Sequence, residues 1–233
     1  MNNHDQIIQI ITTRINKLSD GWKSFFNQII TTRWWIKLIN NLSQAYSKEN
    51  VSPEITNLFL AFELTPIETM KVMILGQDPY PTPKTAIGLA FAINSSSTVP
   101  GSLKNIIKKL SQEYKREMIS WLDLKKWAVQ GVFLINTALS VITNRPNSHS
   151  YLWAEFSNHL MQFCAQYHPN LIYVGWGNFA QKMILTNCFN AKYKIFCSHP
   201  SPLSAQISFF KTPIFKAINL ILQKLNQTPI IWW

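Results

Sequence analysis

Val72-Met73-Ile74-Leu75, followed at once by Gly76-Gln77-Asp78-Pro79-Tyr80-Pro81, is the stretch whose reading decides the fold. Four apolar residues without polar alternation read as a strand buried on both faces, as in parallel sheets covered by helices. The arrangement recurs three times. Val132-Phe133-Leu134-Ile135 stops at Asn136-Thr137, Leu171-Ile172-Tyr173-Val174 at Gly175-Trp176-Gly177-Asn178, and Ile195-Phe196-Cys197 at Ser198-His199-Pro200-Ser201-Pro202-Leu203-Ser204. Ligands of an open α/β sheet bind beyond the carboxyl ends of its strands. The run ends therefore predict one crevice lined by Asp78, Asn136, Gly177 and His199.

Between these runs the pattern is helical. Residues 5–19 carry isoleucines and Leu18 at helical spacing, and 34–46 place Trp35, Leu38, Ile39 and Leu42 on one face. Ser52-Pro53-Glu54 predicts a helix start reaching Phe62, with Pro in the first turn. Ser102 is expected to cap a helix to about Tyr114, and residues 121–130 to form a short one. Trp153 to Tyr167 reads as helix, Asn178 as the cap of another, and Pro213 to Leu225 as the last. Strands alternating with helices predict the α/β class: a three-layer α/β/α domain with a central four-stranded parallel sheet. Residues 1–50 are expected to be a helical preface of the same domain and residues 51–233 its catalytic part.

Length and composition narrow the function. A chain of 233 residues can bury a sizeable core as one domain. Lys and Arg total 22 against 11 acids, and after Asp123 the only acid is Glu155 among nine bases. Such a surface attracts phosphates, although lysines also serve simply to solvate helix faces. Cys164, Cys188 and Cys197 are odd in number and lack metal-type spacing, so neither a disulfide framework nor a zinc site is expected; Cys197 should pack as a small apolar residue. Met1-Asn2-Asn3-His4-Asp5 does not read as a signal peptide, and no apolar run is long enough for a bilayer. A reducing, cytoplasmic setting is the expectation. Trp34-Trp35 should be core, whereas Trp232-Trp233 would adhere to a partner if exposed.

Several of these motifs together resemble the family-1 uracil-DNA glycosylases. They are Gly76-Gln77-Asp78-Pro79-Tyr80, Gly88-Leu89-Ala90-Phe91, Leu134-Ile135-Asn136, Asn147-Ser148-His149, Trp176-Gly177 with Ala180-Gln181-Lys182, His199 to Ser204, and Phe209-Phe210. The resemblance runs in order from about Val51 to Trp232. It implies an enzyme that flips a nucleotide out of the duplex and breaks the bond between uracil N1 and the sugar C1′. Asp78 resembles the carboxylate that orients the attacking water and stabilises the cationic sugar. His199 resembles the neutral imidazole that hydrogen-bonds uracil O2. Asn136 resembles the amide that reads uracil N3–H and O4, and Tyr80 the ring that crowds C5 and excludes thymine. Phe91 resembles the ring stacked on the base, and Gln77 a pocket residue acting through its backbone. Leu203 resembles the apolar wedge that enters the duplex. Ser102, Ser201, Gly177 and Asn178 resemble phosphate contacts, and His149 a structural support.

The resemblance implies no metal and no cofactor, and the sequence carries no glycine-rich cofactor fingerprint. It implies a monomer acting on uracil-containing single- and double-stranded DNA, with no membrane partner; a proteinaceous glycosylase inhibitor or a replication partner stays open. Departures concern DNA affinity more than base chemistry. Pro81 stands where many members have histidine, Asn178 where serine is usual, and Gly101 interrupts a proline run. Gln206-Ile207-Ser208 lacks the usual arginine and glycine, and Lys211 is the cation expected to compensate. Two other readings are a DNA-binding accessory protein that keeps the fold without robust catalysis and a glycosylase for another lesion. Retention of Asp78, Asn136 and His199 disfavours the first; Tyr80 with Asn136 argues against the second.

Overall fold

The computed structural model describes residues 3–233, so the sequence reading of Met1 and Asn2 lies outside the described residues. Nine α-helices and six strands occur among the described residues in the order α1 (Asn3–Asn16), α2 (Asp20–Ile29), α3 (Arg33–Lys48), β1 (Val51–Ser52), α4 (Leu60–Leu64), β2 (Val72–Gly76), α5 (Gly101–Tyr114), α6 (Lys125–Ala128), β3 (Val132–Asn136), β4 (Val141–Ile142), α7 (Ser150–Tyr167), β5 (Ile172–Trp176), α8 (Asn178–Asn187), β6 (Tyr193–Cys197) and α9 (Ile214–Lys224). The four apolar runs are the four strands of one parallel sheet, in the order β3-β2-β5-β6. Every residue of β2, β3 and β5 is buried. β6 forms an edge and is only partly covered. The chain moves from β2 outward to β3, then crosses back to β5, which makes the β2/β5 boundary the switch point where a crevice opens.

The register sorts side chains between the two faces. Met73, Phe133 and Tyr173 pair across the sheet and share one face. There Trp22 of α2 meets Phe62 of α4 at 4.9 Å and Phe133 at 5.1 Å between ring centroids, and Phe156 of α7 closes on Phe62 at 6.2 Å. The Trp22 indole N–H donates to the Thr65 carbonyl at 2.8 Å, satisfying its one polar atom. On the opposite face Trp176 of β5 lies 5.4 Å from Phe209 and 6.5 Å from Phe215 of α9. Phe215 in turn meets Trp232, whose carbonyl accepts from the Trp127 indole at 2.9 Å. Trp232 is therefore core, as Trp35 is. The three cysteines are free and buried, and burial pushes the Cys197 thiol up to about 12. Among the described residues no helix is long and apolar enough to cross a membrane.

Several local expectations are corrected. The helix expected from Ser52 to Phe62 is broken, because Val51 and Ser52 pair antiparallel with β4, after which come a single 3-10 turn, Ile55–Asn57, and the short α4. Pro100, not Ser102, caps α5, and Gly177, not Asn178, caps α8. The sequence reading also passed over α2. Its apolar residues Trp22, Phe25, Phe26 and Ile29 follow helical spacing, but Gly21 in the first turn weakens the signal. A distant group makes good the deficit: Glu68 accepts the Gly21 backbone N–H at 2.7 Å.

Trp22 links the N-terminal helices to the sheet. Trp22→Ala is expected to destabilise the fold by about 3–5 kcal/mol, read as a lower urea midpoint with unchanged slope.

Candidate functional site

At the carboxyl ends of the strands lies a cavity of about 250 Å³ lined by Gly76, Gln77, Asp78, Pro79, Tyr80, Pro81, Leu89, Phe91, Ser102, Asn136, Pro146 and His199. It is smaller than the roughly 300–1,000 Å³ of pockets for drug-sized ligands, and suits one flat heterocycle. Asp78 follows β2, Asn136 ends β3, and His199 stands two residues past β6. The sheet thus brings together six predicted residues: Asp78, Asn136, His199, Gln77, Tyr80 and Phe91 all line this cavity, joined by Ser102.

Asn136 pairs in register with Gly76, and this pairing explains the glycine. A Cβ on Gly76 would lie 2.0 Å from Asn136 Oδ1, so only a residue without a side chain leaves the amide its place. The adjoining backbone is knit firmly: Thr137 Oγ1 and the Ala138 N–H both donate to the Gln77 carbonyl, at 2.8 and 2.9 Å. The Gln77 side chain reaches Asn147 Oδ1 at 2.7 Å. Asn147 also donates its backbone N–H to Asp78 Oδ2 at 2.8 Å, which fixes the carboxylate from below. Asn147 itself sits at φ 63°, a left-handed conformation that asparagine tolerates better than most residues. Behind it, His149 Nδ1 and the Trp153 indole converge on Ser140 Oγ at 2.8 and 2.9 Å, an entirely buried support.

Tyr80 presents its ring to the cavity and anchors its hydroxyl on Ser102 Oγ at 2.7 Å. Burial pushes that hydroxyl up to about 12 despite the opposing effect of Ser102, so it stays protonated. Phe91 holds φ 64°, a strained backbone for an aromatic residue, with its ring 5.0 Å from Trp176 and 5.8 Å from His199. Its strain identifies a ring held in place by its surroundings.

His199 accepts the Ser201 backbone N–H at Nδ1, 3.0 Å away. The neutral ring therefore carries its proton on Nε2, leaving that N–H as its only donor. Burial lowers the His199 pKa from its ordinary 6.5. Gly177, at φ 90°, lets the chain turn into α8 against His199; a Cβ there would lie 3.0 Å from His199 Cβ.

The rim is different in character. Leu203 is 96% exposed, an apolar side chain held out into solvent. Its loop is braced from within: Ser204 Oγ donates to the His199 carbonyl at 2.9 Å and lies 2.9 Å from Ser201 Oγ. Asn178 is exposed at the start of α8, and Gly177 and Asn178 line a neighbouring groove with His199, Ser204 and Ile207 rather than the cavity itself. Ser102 is buried on Tyr80, not displayed on the surface. Ile207 and Lys211 are both exposed on the segment after the Leu203 loop. Sequence reading missed Pro146 and Leu89 as wall residues and Asn147 as the direct partner of Asp78.

Comparison with known proteins identifies the family. The model of the uracil DNA glycosylase superfamily matches residues 62–223. "Uracil-DNA glycosylase 1" of Listeria innocua is 37% identical over 213 residues, covering 91% of this chain and 96% of the relative. The uracil-DNA glycosylase of Buchnera aphidicola subsp. Acyrthosiphon pisum is 38% identical over 217 residues, covering 91% and 98%. Among solved structures, mimivirus uracil-DNA glycosylase superposes with a TM-score of 0.87 at 29% identity, over 93% of this chain and 87% of that one. The chain belongs to the uracil-DNA glycosylase superfamily, as its family-1 motifs implied.

The tautomer and pKa of His199 are directly measurable. Ring-nitrogen NMR at pH 7 should show a neutral imidazole protonated on Nε2, titrating below 6.5. Because the folded state binds this proton less readily than the unfolded one, the His199 contribution to stability is complete above pH 6.5 and diminishes as pH falls from there toward the folded value.

Proposed function

We propose that this protein flips uracil from single- and double-stranded DNA into the 250 Å³ cavity and hydrolyses its N-glycosidic bond, leaving an abasic site and free uracil. The observation that carries this reading is the convergence of Asp78, Asn136 and His199, from three strand ends, on one cavity of about 250 Å³. As the C1′–N1 bond breaks, its electron pair leaves with uracil and the sugar becomes cationic. Asp78, oriented by the Asn147 N–H, stabilises that cation and aims the water whose oxygen then bonds C1′, its carboxylate taking the proton that the water gives up. The His199 Nε2–H donates to uracil O2 as negative charge gathers there. The Asn136 amide accepts from N3–H and donates to O4, a pattern that cytosine reverses.

The Tyr80 ring, fixed at its hydroxyl by Ser102, forms the wall against the C5 methyl of thymine, and Phe91 stacks on the base. Gln77 contributes backbone at the pocket floor. Leu203 fills the space that the flipped nucleotide vacates. Ser102 through its backbone N–H at the α5 N-terminus, Gly177 and Asn178 at the α8 N-terminus, and Ser201 meet DNA phosphates. The same reading takes residues 1–50 as a helical preface of one domain with the catalytic residues 51–233, supported by the Trp22 contacts. It takes the protein as a cytoplasmic monomer. A single-residue variant of mimivirus UNG, solved in complex with UGI and 30% identical to this chain with a TM-score of 0.87, supports a proteinaceous inhibitor as a further partner.

The test is incubation in EDTA with a uracil-containing oligonucleotide and a thymine control, followed by alkaline cleavage of abasic sites. Scission at uracil alone is expected, with Asp78→Asn slowing it roughly 10²–10⁴-fold; DNA binding without scission would favour the accessory-protein reading. Gly76→Ala probes the reader independently. Its Cβ displaces the Asn136 amide, so uracil release should slow by about 10²-fold while the circular-dichroism melting curve stays close to that of the parent.

A further inference from the structure

Helix α5 carries a stripe of four residues at every fourth position, Gly101, Asn105, Lys109 and Glu113, and each meets the segment that follows β6. At Gly101 the helix backbone abuts Pro202, where a Cβ would lie 2.6 Å from Pro202 Cγ. Asn105 Nδ2 donates to the Pro200 carbonyl at 2.8 Å. Lys109 Nζ donates to the Phe210 carbonyl at 2.8 Å and pairs with Glu113 Oε1 at 3.4 Å. Glu113 then accepts the Ile214 and Lys216 backbone N–H groups at 2.7 and 3.0 Å, capping α9 from outside. The side chains of Lys109 and Glu113 are each only 5% exposed. Directly after Gly101, the same helix offers Ser102 to Tyr80.

Stability alone does not explain a buried ion pair, because well-packed apolar residues serve a core as well or better. What this polar stripe adds is direction. It fixes two carbonyls of one loop, at 200 and 210, and two amides at the start of α9, at 214 and 216, relative to a single rigid helix. That loop is closed at its base by Ser198 Oγ, which accepts from the Ser208 and Phe209 N–H groups at 3.1 and 2.9 Å. In the sheet β2 and β6 are joined only through β5, which leaves the Tyr80 wall and the His199 loop one strand apart. α5 spans that gap.

We propose that Asn105, Lys109 and Glu113 are positioning residues: through them α5 acts as a strut that sets the spacing between the Tyr80 wall and the loop bearing His199 and Leu203. None of the three lines the cavity, so each acts through the loop. The activity readout of this inference rests on the uracil reading above; the exchange readout does not.

The experiment compares the parent with Asn105→Ala, Lys109→Met and Lys109→Arg. Amide hydrogen exchange is followed on peptides spanning 198–210 and on peptides containing β2 and β3, alongside single-turnover uracil release. Asn105→Ala and Lys109→Met should speed exchange in 198–210 by about tenfold and leave β2 and β3 unchanged. At saturating enzyme they should slow uracil release by about tenfold with half-saturation by DNA kept within about twofold. Lys109→Arg, which keeps a cationic donor, should recover both. Parental exchange in the loop of both weakened variants overturns the proposal, as does an equal rise in β2 and β3, which marks a merely structural role. If Lys109→Met fails to fold, Asn105→Ala decides by the same criteria. A parent that releases no uracil refutes the activity reading, and the exchange rates alone then decide whether α5 is a strut.

Discussion

A sheet buried on both faces can display polar chemistry only where its strands stop, and every feature of this site follows from that constraint. Short of their last residues, the positions of β2, β3 and β5 are surrounded by core, so an unpaired acid, amide or imidazole there would carry a desolvation penalty without compensation. At the last ladder position, Asn136, and two residues past the ends of β2 and β6, at Asp78 and His199, the side chain gains an opening. Parallel register then makes the strands end at the same level, and Gly76 opposite Asn136 shows how tightly that level is shared. The cavity is a product of strand ends in register with one residue made small.

The residues that do the chemistry are few, but the bonds that hold them are many and largely local. His199 receives its tautomer from the Ser201 backbone and the bracing of its loop from Ser204. Asp78 receives its orientation from Asn147, which also gathers the Gln77 side chain. Phe91 keeps a backbone conformation costing of order 1–3 kcal/mol, a strain that packing against Trp176 offsets. Preorganisation of this kind matters for charge stabilisation, since dipoles already aimed at the developing charge need not reorganise during the reaction.

Much of the architecture was legible because burial leaves a simple mark on composition. The runs at Val72, Val132, Leu171 and Ile195 carried the four-stranded sheet, and their polar ends located the cavity residues. The motif resemblance added roles that spacing alone could not assign. What escaped reading was chemistry made by distant partners. Gly21 looks like a helix breaker until Glu68 is placed over its N–H, and Ser102 looks like a cap until Tyr80 arrives beside it. Ser52-Pro53-Glu54 has the form of a helix start, yet pairing with Val141 and Ile142 draws Val51 and Ser52 into a strand instead. Trp232 near the chain end carries no periodic pattern, so its burial against Trp127 and Phe215 had no signature to read.

Leu203 stands almost fully in water on a loop that cannot collapse inward. Its hydration is an unrelieved liability of the resting protein, worth roughly 1.5–3 kcal/mol when an apolar surface finally covers it. Such relief carries a calorimetric signature. Covering the leucine lowers heat capacity, and the benefit weakens on cooling. Under the wedge reading, engagement of a duplex would therefore be more temperature-sensitive than capture of an isolated base by the hydrogen-bonding groups beneath, so that chilling would loosen the grip on the helix before it dulled the reading of the base.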